Sequence, residues 1–306
     1  MNTPSNVVAE SSMHPASVTA VEVSSIQRFY WSVRRELWEY RSIYLAPLVV
    51  GGIGLLGFLI PLFHLPTRVS GIGARIDVHT TIESPYVIVA LMLMVIDIVV
   101  AVFYSVDALY GERRDRSVLF WKSLPVSDAT AVLAKASIPI LVLPVITSVV
   151  TIVVQFVMLL MSSAVLAASG MSAALPWIHV PIFKTAGTNL YHLVVFHGIW
   201  YAPFFGWFLM VSAWARRAPF LWAMIPAVAI GLVEKIAFNT THFGRMLLER
   251  FGGGSQSDGT PGMSMAMFTP HHAVHFLFSP GMWLGLVFTA LCLFAAVRLR
   301  RIRAAG

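Results

Sequence analysis

Ionisable and amide side chains inside long apolar runs are the first places where this sequence could do chemistry. Asp97 lies near the middle of the run 86–109 and Asp107 near its end. A carboxylate at bilayer depth is disfavoured by roughly 2.5 to 3.5 kcal/mol and faces a bundle interior or a cavity. Two readings of Asp97 stand side by side: it lines a translocation route, or it locks its helix to a neighbour through a hydrogen bond. Gln155, Asn189, His192 and His197 also fall within or near apolar runs. With Asp97 and Asp107 they form the candidate pathway set, although each alone also fits a helix-to-helix hydrogen bond. Glu234 and Lys235 are adjacent, so on a helix they point about 100 degrees apart, and Lys235 is expected to snorkel to the outer interface. His271, His272 and His275 are spaced to put two imidazoles on one helical face, but no carboxylate or thiolate lies near them to complete a metal site. No metal site is expected.

Other chemistries are excluded by what the sequence lacks. The segment Gly52-Ile53-Gly54-Leu55-Leu56-Gly57 fits GxGxxG, yet it has no preceding strand and no acidic residue at the expected distance, so these are expected to be helix-packing glycines. No GxxxxGK[ST] segment exists to cradle a nucleotide phosphate, and HExxH and GxSxG are absent. Cys292, the single cysteine, sits in an apolar run and can join no disulfide framework or CxxC pair. No catalytic residue and no cofactor is expected on this chain.

The elements that must position the polar residues are set by composition. Apolar residues make up 58% and charged residues 11%, whereas a soluble domain carries about a quarter charged residues. An all-α, polytopic membrane protein follows, with six spans near 44–63, 86–109, 136–161, 189–214, 219–238 and 276–297. Reading the third run as one span puts Arg113, Arg114, Arg116, Arg216, Arg217 and the Arg298 to Arg303 cluster on one face. Only Arg68, Arg75, Lys184, Arg245 and Arg250 remain on the other, so both termini are expected in the cytoplasm. The excess of 21 basic over 14 acidic residues is explained by this rule and by anionic lipid; no soluble basic face exists for nucleic acid.

Residues 1–24 read as a mobile cytoplasmic tail without a cleaved signal, and 25–303 as a single transmembrane domain. The domain opens on an interfacial amphipathic helix at 25–41, in which Ile26, Phe29, Tyr30, Val33, Leu37 and Tyr40 recur at three-to-four spacing. Pro139 and Pro144 are expected to kink span three. Residues 162–181 suit an outer loop or a protruding helix. In the outer segment 239–275, 241–251 and 270–278 flank a Gly/Ser linker. Trp31, Trp38, Trp177, Trp214 and Trp222 read as interface anchors.

Between spans two and three lies GERRDRSVLFWKSLPVSDATAVLAK, Gly111 to Lys135, the densest mixture of charge and large apolar side chains in the chain. Val118, Leu119, Phe120, Trp121 and Leu124 cluster, Pro125 stops any helix through them, and Ser127 or Asp128 can cap the next one. A short helix lying across the membrane face is expected. On Glu112, Arg113, Arg114, Asp115, Ser117, Leu124, Pro125, Ser127, Asp128 and Lys135, this loop resembles the first cytoplasmic loop of ABC-2 type transporter permeases. The resemblance implies a type V exporter-like architecture with six spans, an amphipathic helix before the first and outer re-entrant helices between the last two. It implies that Glu112, Arg113, Arg114, Asp115, Arg116, Ser117, Phe120, Trp121, Lys122, Leu124, Pro125 and Asp128 couple the chain to an ABC ATP-binding subunit. That partner would hold ATP and Mg, and a second permease protomer, identical or related, would complete the pathway in a cell membrane such as the bacterial inner membrane. The competing class is a membrane enzyme or membrane-anchored assembly factor acting without an ATPase. A secondary transporter would carry inverted repeats, which the sequence does not show.

Overall fold

The computed structural model describes residues 24–70, 78–115, 126–251 and 279–303, and no strand occurs among them. Helix α1, Ser25–Glu39, starts where Ser24 and Gln27 form a reciprocal capping box. Val33, Leu37 and Tyr40 pack against the core, whereas Ile26, Tyr30, Trp31 and Trp38 stay exposed, as suits a helix lying in the membrane interface. Arg34 sits over the Trp31 and Trp38 rings, 5.0 and 5.4 Å from their centroids, a cation-to-ring contact that keeps its charge beside the aromatic anchors.

Helix α2, Ser42–Phe63, packs on the two long helices that follow it. A Cβ added to Gly51 would stand 2.9 Å from Val154 Cγ2, and one on Gly54 3.1 Å from Val89 Cγ1. Their lack of a side chain therefore sets the approach of both neighbours, which bears out the packing reading for Gly54; Gly52 and Gly57 face open space. After the short α3, Leu65–Ser70, helix α4 spans Val78–Arg114. Its 37 residues make a rod of about 55 Å at 1.5 Å per residue, longer than the expected span 86–109 at both ends.

The third apolar run is one continuous helical stretch from Asp128 to Ala168, built from α5, Asp128–Ser137, a π turn at Ile138–Val142 and α6, Leu143–Ala168. Ser127 caps α5, its hydroxyl accepting the Thr130 N–H at 3.1 Å. The π turn falls where Pro139 removes a backbone donor, so the prolines act through a wide turn. The helix also outruns the loop expected at 162–181. Ser162 and Leu166 are buried, and the Ser162 and Tyr86 hydroxyls lie 2.9 Å apart, so packing carries α6 on until Gly170 turns left-handed at φ 74°.

Two short helices, α7 at Leu175–His179 and α8 at Ile182–Tyr191, lead into a second π segment, His192–Trp200. A bend of 48° then opens α9, Ala202–Trp214. Gly198 fits because a Cβ there would stand 2.1 Å from the Ile140 carbonyl oxygen, so the two π segments meet backbone to backbone. Helix α10, Pro219–Phe238, buries only Ala223. It is followed by α11, His242–Phe251, and by α12, Pro280–Arg303, which packs along α9. Among the described residues five helices are long and apolar enough to cross a membrane, and six if the bent pair is one span.

The return from α10 to α11 gives Glu234 a role that the sequence did not assign, and no bond joins it to Lys235, whose side chain is exposed. Asn239 closes α10 in the left-handed region at φ 51°. The Glu234 carboxylate then caps α11 by accepting the backbone N–H groups of His242 and Phe243 at 2.6 and 2.8 Å and the Thr240 hydroxyl at 2.8 Å. Helix α11 falls within 241–251, part of the segment expected on the outer side. Segments 1–23, 252–278 and the loop 116–125 lie outside the described residues, and with them the tail, the 270–278 segment and the three clustered histidines.

Candidate functional site

The densest polar chemistry in the molecule is a buried ionic network where α1, α4, α5 and α12 meet. Glu36 lies on the same stripe of α1 as Val33 and Tyr40, so packing that face against the bundle takes its carboxylate inside. There Lys135 Nζ stands 2.9 Å from both Glu36 oxygens, and the Tyr104 hydroxyl donates to Oε2 at 2.9 Å. Lys135 also reaches Glu112 Oε1 at 3.2 Å, and Arg35 Nη2 bonds that oxygen at 2.8 Å. Arg300 closes the set, with Nη1 3.1 Å from Glu112 Oε2 and Nε 3.1 Å from Asp128 Oδ1.

Three carboxylates, Glu36, Glu112 and Asp128, thus meet three cations, Arg35, Lys135 and Arg300. The balance matters because the Lys135 side chain is 0% exposed and those of Glu36 and Glu112 are 1% exposed. Taking a single charge to that depth costs several kcal/mol, which only close opposite charges and hydrogen bonds offset. Burial by itself would raise the Glu36 carboxyl, but Lys135 and Arg35 outweigh it and hold it below the ordinary carboxylate value of 4.5. Glu39, at the edge of the network, is pushed up, first by burial and then by its like-charged neighbour Glu36.

A second bond fixes α1 one turn further on. The Tyr40 hydroxyl donates to Asp107 Oδ2 at 3.2 Å, and a Cβ on Gly111 would lie 3.2 Å from both atoms, so the glycine makes room for the pair. Arg113 ties α4 to the end of α9 by donating to the Ser212 and Ala215 carbonyl oxygens, the latter at 2.8 Å. Arg114 and Asp115 pair with each other at the surface.

Of the loop residues picked out in the sequence, Glu112 and Asp128 belong to the network. Arg113, Arg114 and Asp115 flank it, while Arg116, Ser117, Phe120, Trp121, Lys122, Leu124 and Pro125 lie outside the described residues. Glu36, Arg35 and Arg300 were not singled out. An acidic residue on the apolar stripe of an amphipathic helix was the available signal for Glu36, and Lys135 as the first cation after an apolar loop pointed the same way.

The candidate pathway residues do not gather at one place. Asp97 is buried between α4 and α6, and Thr147 donates to its Oδ1 at 2.8 Å, which matches the helix-locking reading. Asp107 serves Tyr40. His192 and His197 lie on the second π segment, where His192 Nδ1 is 3.2 Å from the Thr188 carbonyl oxygen and the His197 ring meets Tyr201 edge-on at 5.7 Å. Gln155 and Asn189 line one cavity together. Among the described residues no group of three or more His, Cys, Asp or Glu side chains could hold a metal ion.

At the opposite end of the bundle, Arg250 of α11 donates to the Trp200 carbonyl oxygen at 3.0 Å and to Gly281 O at 2.9 Å. Its guanidinium lies over the Trp200 ring, 4.3 Å from the centroid. The chain carries a clamp at each end of a helical bundle whose five to six long apolar helices, among the described residues, are compatible with a multi-pass membrane protein. No protein-family model, curated protein or solved structure matches the chain.

Proposed function

We propose that this chain is the permease subunit of an ATP-driven ABC exporter, driven through the 111–125 loop by a separate ATP-binding subunit. Two such chains form the pathway; this one does no chemistry of its own. One observation carries the reading: Glu112 before the loop, and Asp128 and Lys135 after it, enter the same buried network that holds α1 and α12. Force applied to a loop rooted in this way reaches the helix before the first span and the last span together. A charge set so deep and so closely balanced acts as a rigid joint.

The network also bears on topology. Arg35, before the first span, and Arg300, at the end of the last, bind the same Glu112 carboxylate, so both ends of the domain sit at one end of the bundle. An even number of crossings fits that placement, which supports counting the bent pair as one span and the total as six. The arginine distribution supports reading this end as the cytoplasmic one, in a membrane such as the bacterial inner membrane.

The test alters the loop tip and leaves its feet intact. Leu124→Glu with Pro125→Ala, and separately charge reversal at Arg116 and Lys122, are introduced into the full chain in its native membrane. Arg113 is left alone because it holds the end of α9. The co-purifying Mg-dependent ATP hydrolysis is then measured. Loss of the associated hydrolysis from both variants, with the chain still folded, is the expected result; retention in both would contradict the coupling role.

A further inference from the structure

A cavity of about 250 Å3 lies between α4, α6 and α8, room for roughly eight waters at about 30 Å3 each. Gln155 on its wall is twenty residues beyond Lys135, so it lies about 30 Å along the helix from the ionic network, near the opposite membrane face. Tyr86, Val87 and Leu91 of α4 supply a mostly apolar wall, and Asn189 faces Gln155 from α8.

Two polar atoms in this wall are buried and unsatisfied. Gln155 is 1% exposed. Its Nε2 donates to the Tyr86 carbonyl oxygen at 3.4 Å, but its Oε1 has no partner. Asn189 is 4% exposed, and its Nδ2 has no partner either. An unmet acceptor and an unmet donor on one cavity are each unfavourable until a ligand or water meets them. Lys184, exposed, and Glu83, half-buried, add one charge of each sign to the lining.

We propose that this cavity binds the head group of a zwitterionic amphiphile carrying a primary amine and a phosphate. The ammonium donates to Gln155 Oε1 on the side where Glu83 favours positive charge. The phosphate accepts from Asn189 Nδ2 and faces Lys184, and the apolar tail runs along Val87 and Leu91. A quaternary amine has no N–H, so it leaves Gln155 Oε1 unsatisfied and binds less well. The site stands on its own geometry and holds whether or not an ATPase drives the chain.

The test uses the full chain in lipid nanodiscs with photoactivatable phosphatidylethanolamine or phosphatidylcholine, and the labelled residues are mapped. The expected result is about tenfold preferential labelling of α4, α6 and α8 by the primary amine lipid. Gln155→Leu abolishes that preference, and Asn189→Leu weakens labelling by both lipids alike. Val87→Trp, which fills the cavity while leaving Gln155 in place, removes labelling in a folded chain. Soluble glycerophosphoethanolamine that competes at millimolar concentration assigns the site to a free zwitterion, and failure to compete assigns it to a bilayer lipid; either supports the class. Equal labelling by the two lipids, or a preference that survives Gln155→Leu, overturns the proposal.

Discussion

At the end of the bundle where the loop is rooted, each buried charge of the network faces an opposite one within about 3 Å. At the other end, Gln155 and Asn189 are buried as deeply but keep atoms with nothing to bond. Burial is the same in both places, but the network's charges are paired ion to ion, even though Arg35 Nε and Arg300 Nε and Nη1 make no hydrogen bond of their own, whereas the two amide atoms at the cavity have neither. A charge-paired set holds helices in one arrangement, whereas an unpaired acceptor and donor are complementary to something that arrives. The contrast separates a joint from a receptor site within a single helical bundle.

Breaking the joint gives the largest expected effect. Lys135→Met leaves Glu36 and Glu112 without their shared cation and should cost about 3 to 5 kcal/mol, read as a lowered thermal midpoint of the detergent-solubilised chain. Adding Glu36→Gln to that variant should recover part of the loss, with a coupling energy of about 0.5 to 3 kcal/mol in a double-mutant cycle; strict additivity would show that the two side chains do not act as a unit. Thr147→Val removes the hydroxyl that donates to Asp97 and should cost about 1 to 3 kcal/mol in the same assay.

Acid sharpens the comparison at smaller amplitude. The Glu36 carboxyl is held below 4.5 in the fold, so the stability it contributes is present above that ordinary value and is lost as pH falls through the lower, folded one. Hydrogen exchange in α1 should therefore rise on acidification below 4.5 and stay flat around neutrality, and Glu36→Gln should remove the step. The smallest loss belongs to the cavity: Gln155→Leu removes an unmet acceptor, a gain of about 1 to 3 kcal/mol, together with the Nε2 bond to the Tyr86 carbonyl, a loss of about 0.5 to 1.5 kcal/mol, so stability should hold or rise. A loss as large as that of Lys135→Met would erase the distinction between the two ends.

The spans were legible because lipid demands long apolar runs, and the rise of a helix fixes their length. The amphipathic start, the packing role of Gly54 and the single third span were readable for the same reason. What escaped depends on partners far apart in sequence. Glu36 and Lys135 are 99 residues apart, and no local period announces that they meet. Glu234 reads as a carboxylate near a span end until the chain turns at Asn239 and brings the N–H groups of His242 and Phe243 back to it. The six pathway candidates were chosen by polarity within apolar runs, a criterion that does not distinguish a satisfied hydrogen bond, as at Asp97, from an open one, as at Gln155.

The central claim is that the loop drives the bundle through the ionic joint, and a reporter at the far end tests it directly. With Cys292→Ala as background, a fluorophore on Phe183→Cys of α8, where the native side chain is 92% exposed, is followed when Mg-ATP is added to the chain together with the proposed ATP-binding subunit. The account predicts a nucleotide-dependent change in the wild-type joint that Glu36→Gln abolishes while the ATPase stays bound. An undiminished response in that variant would contradict it.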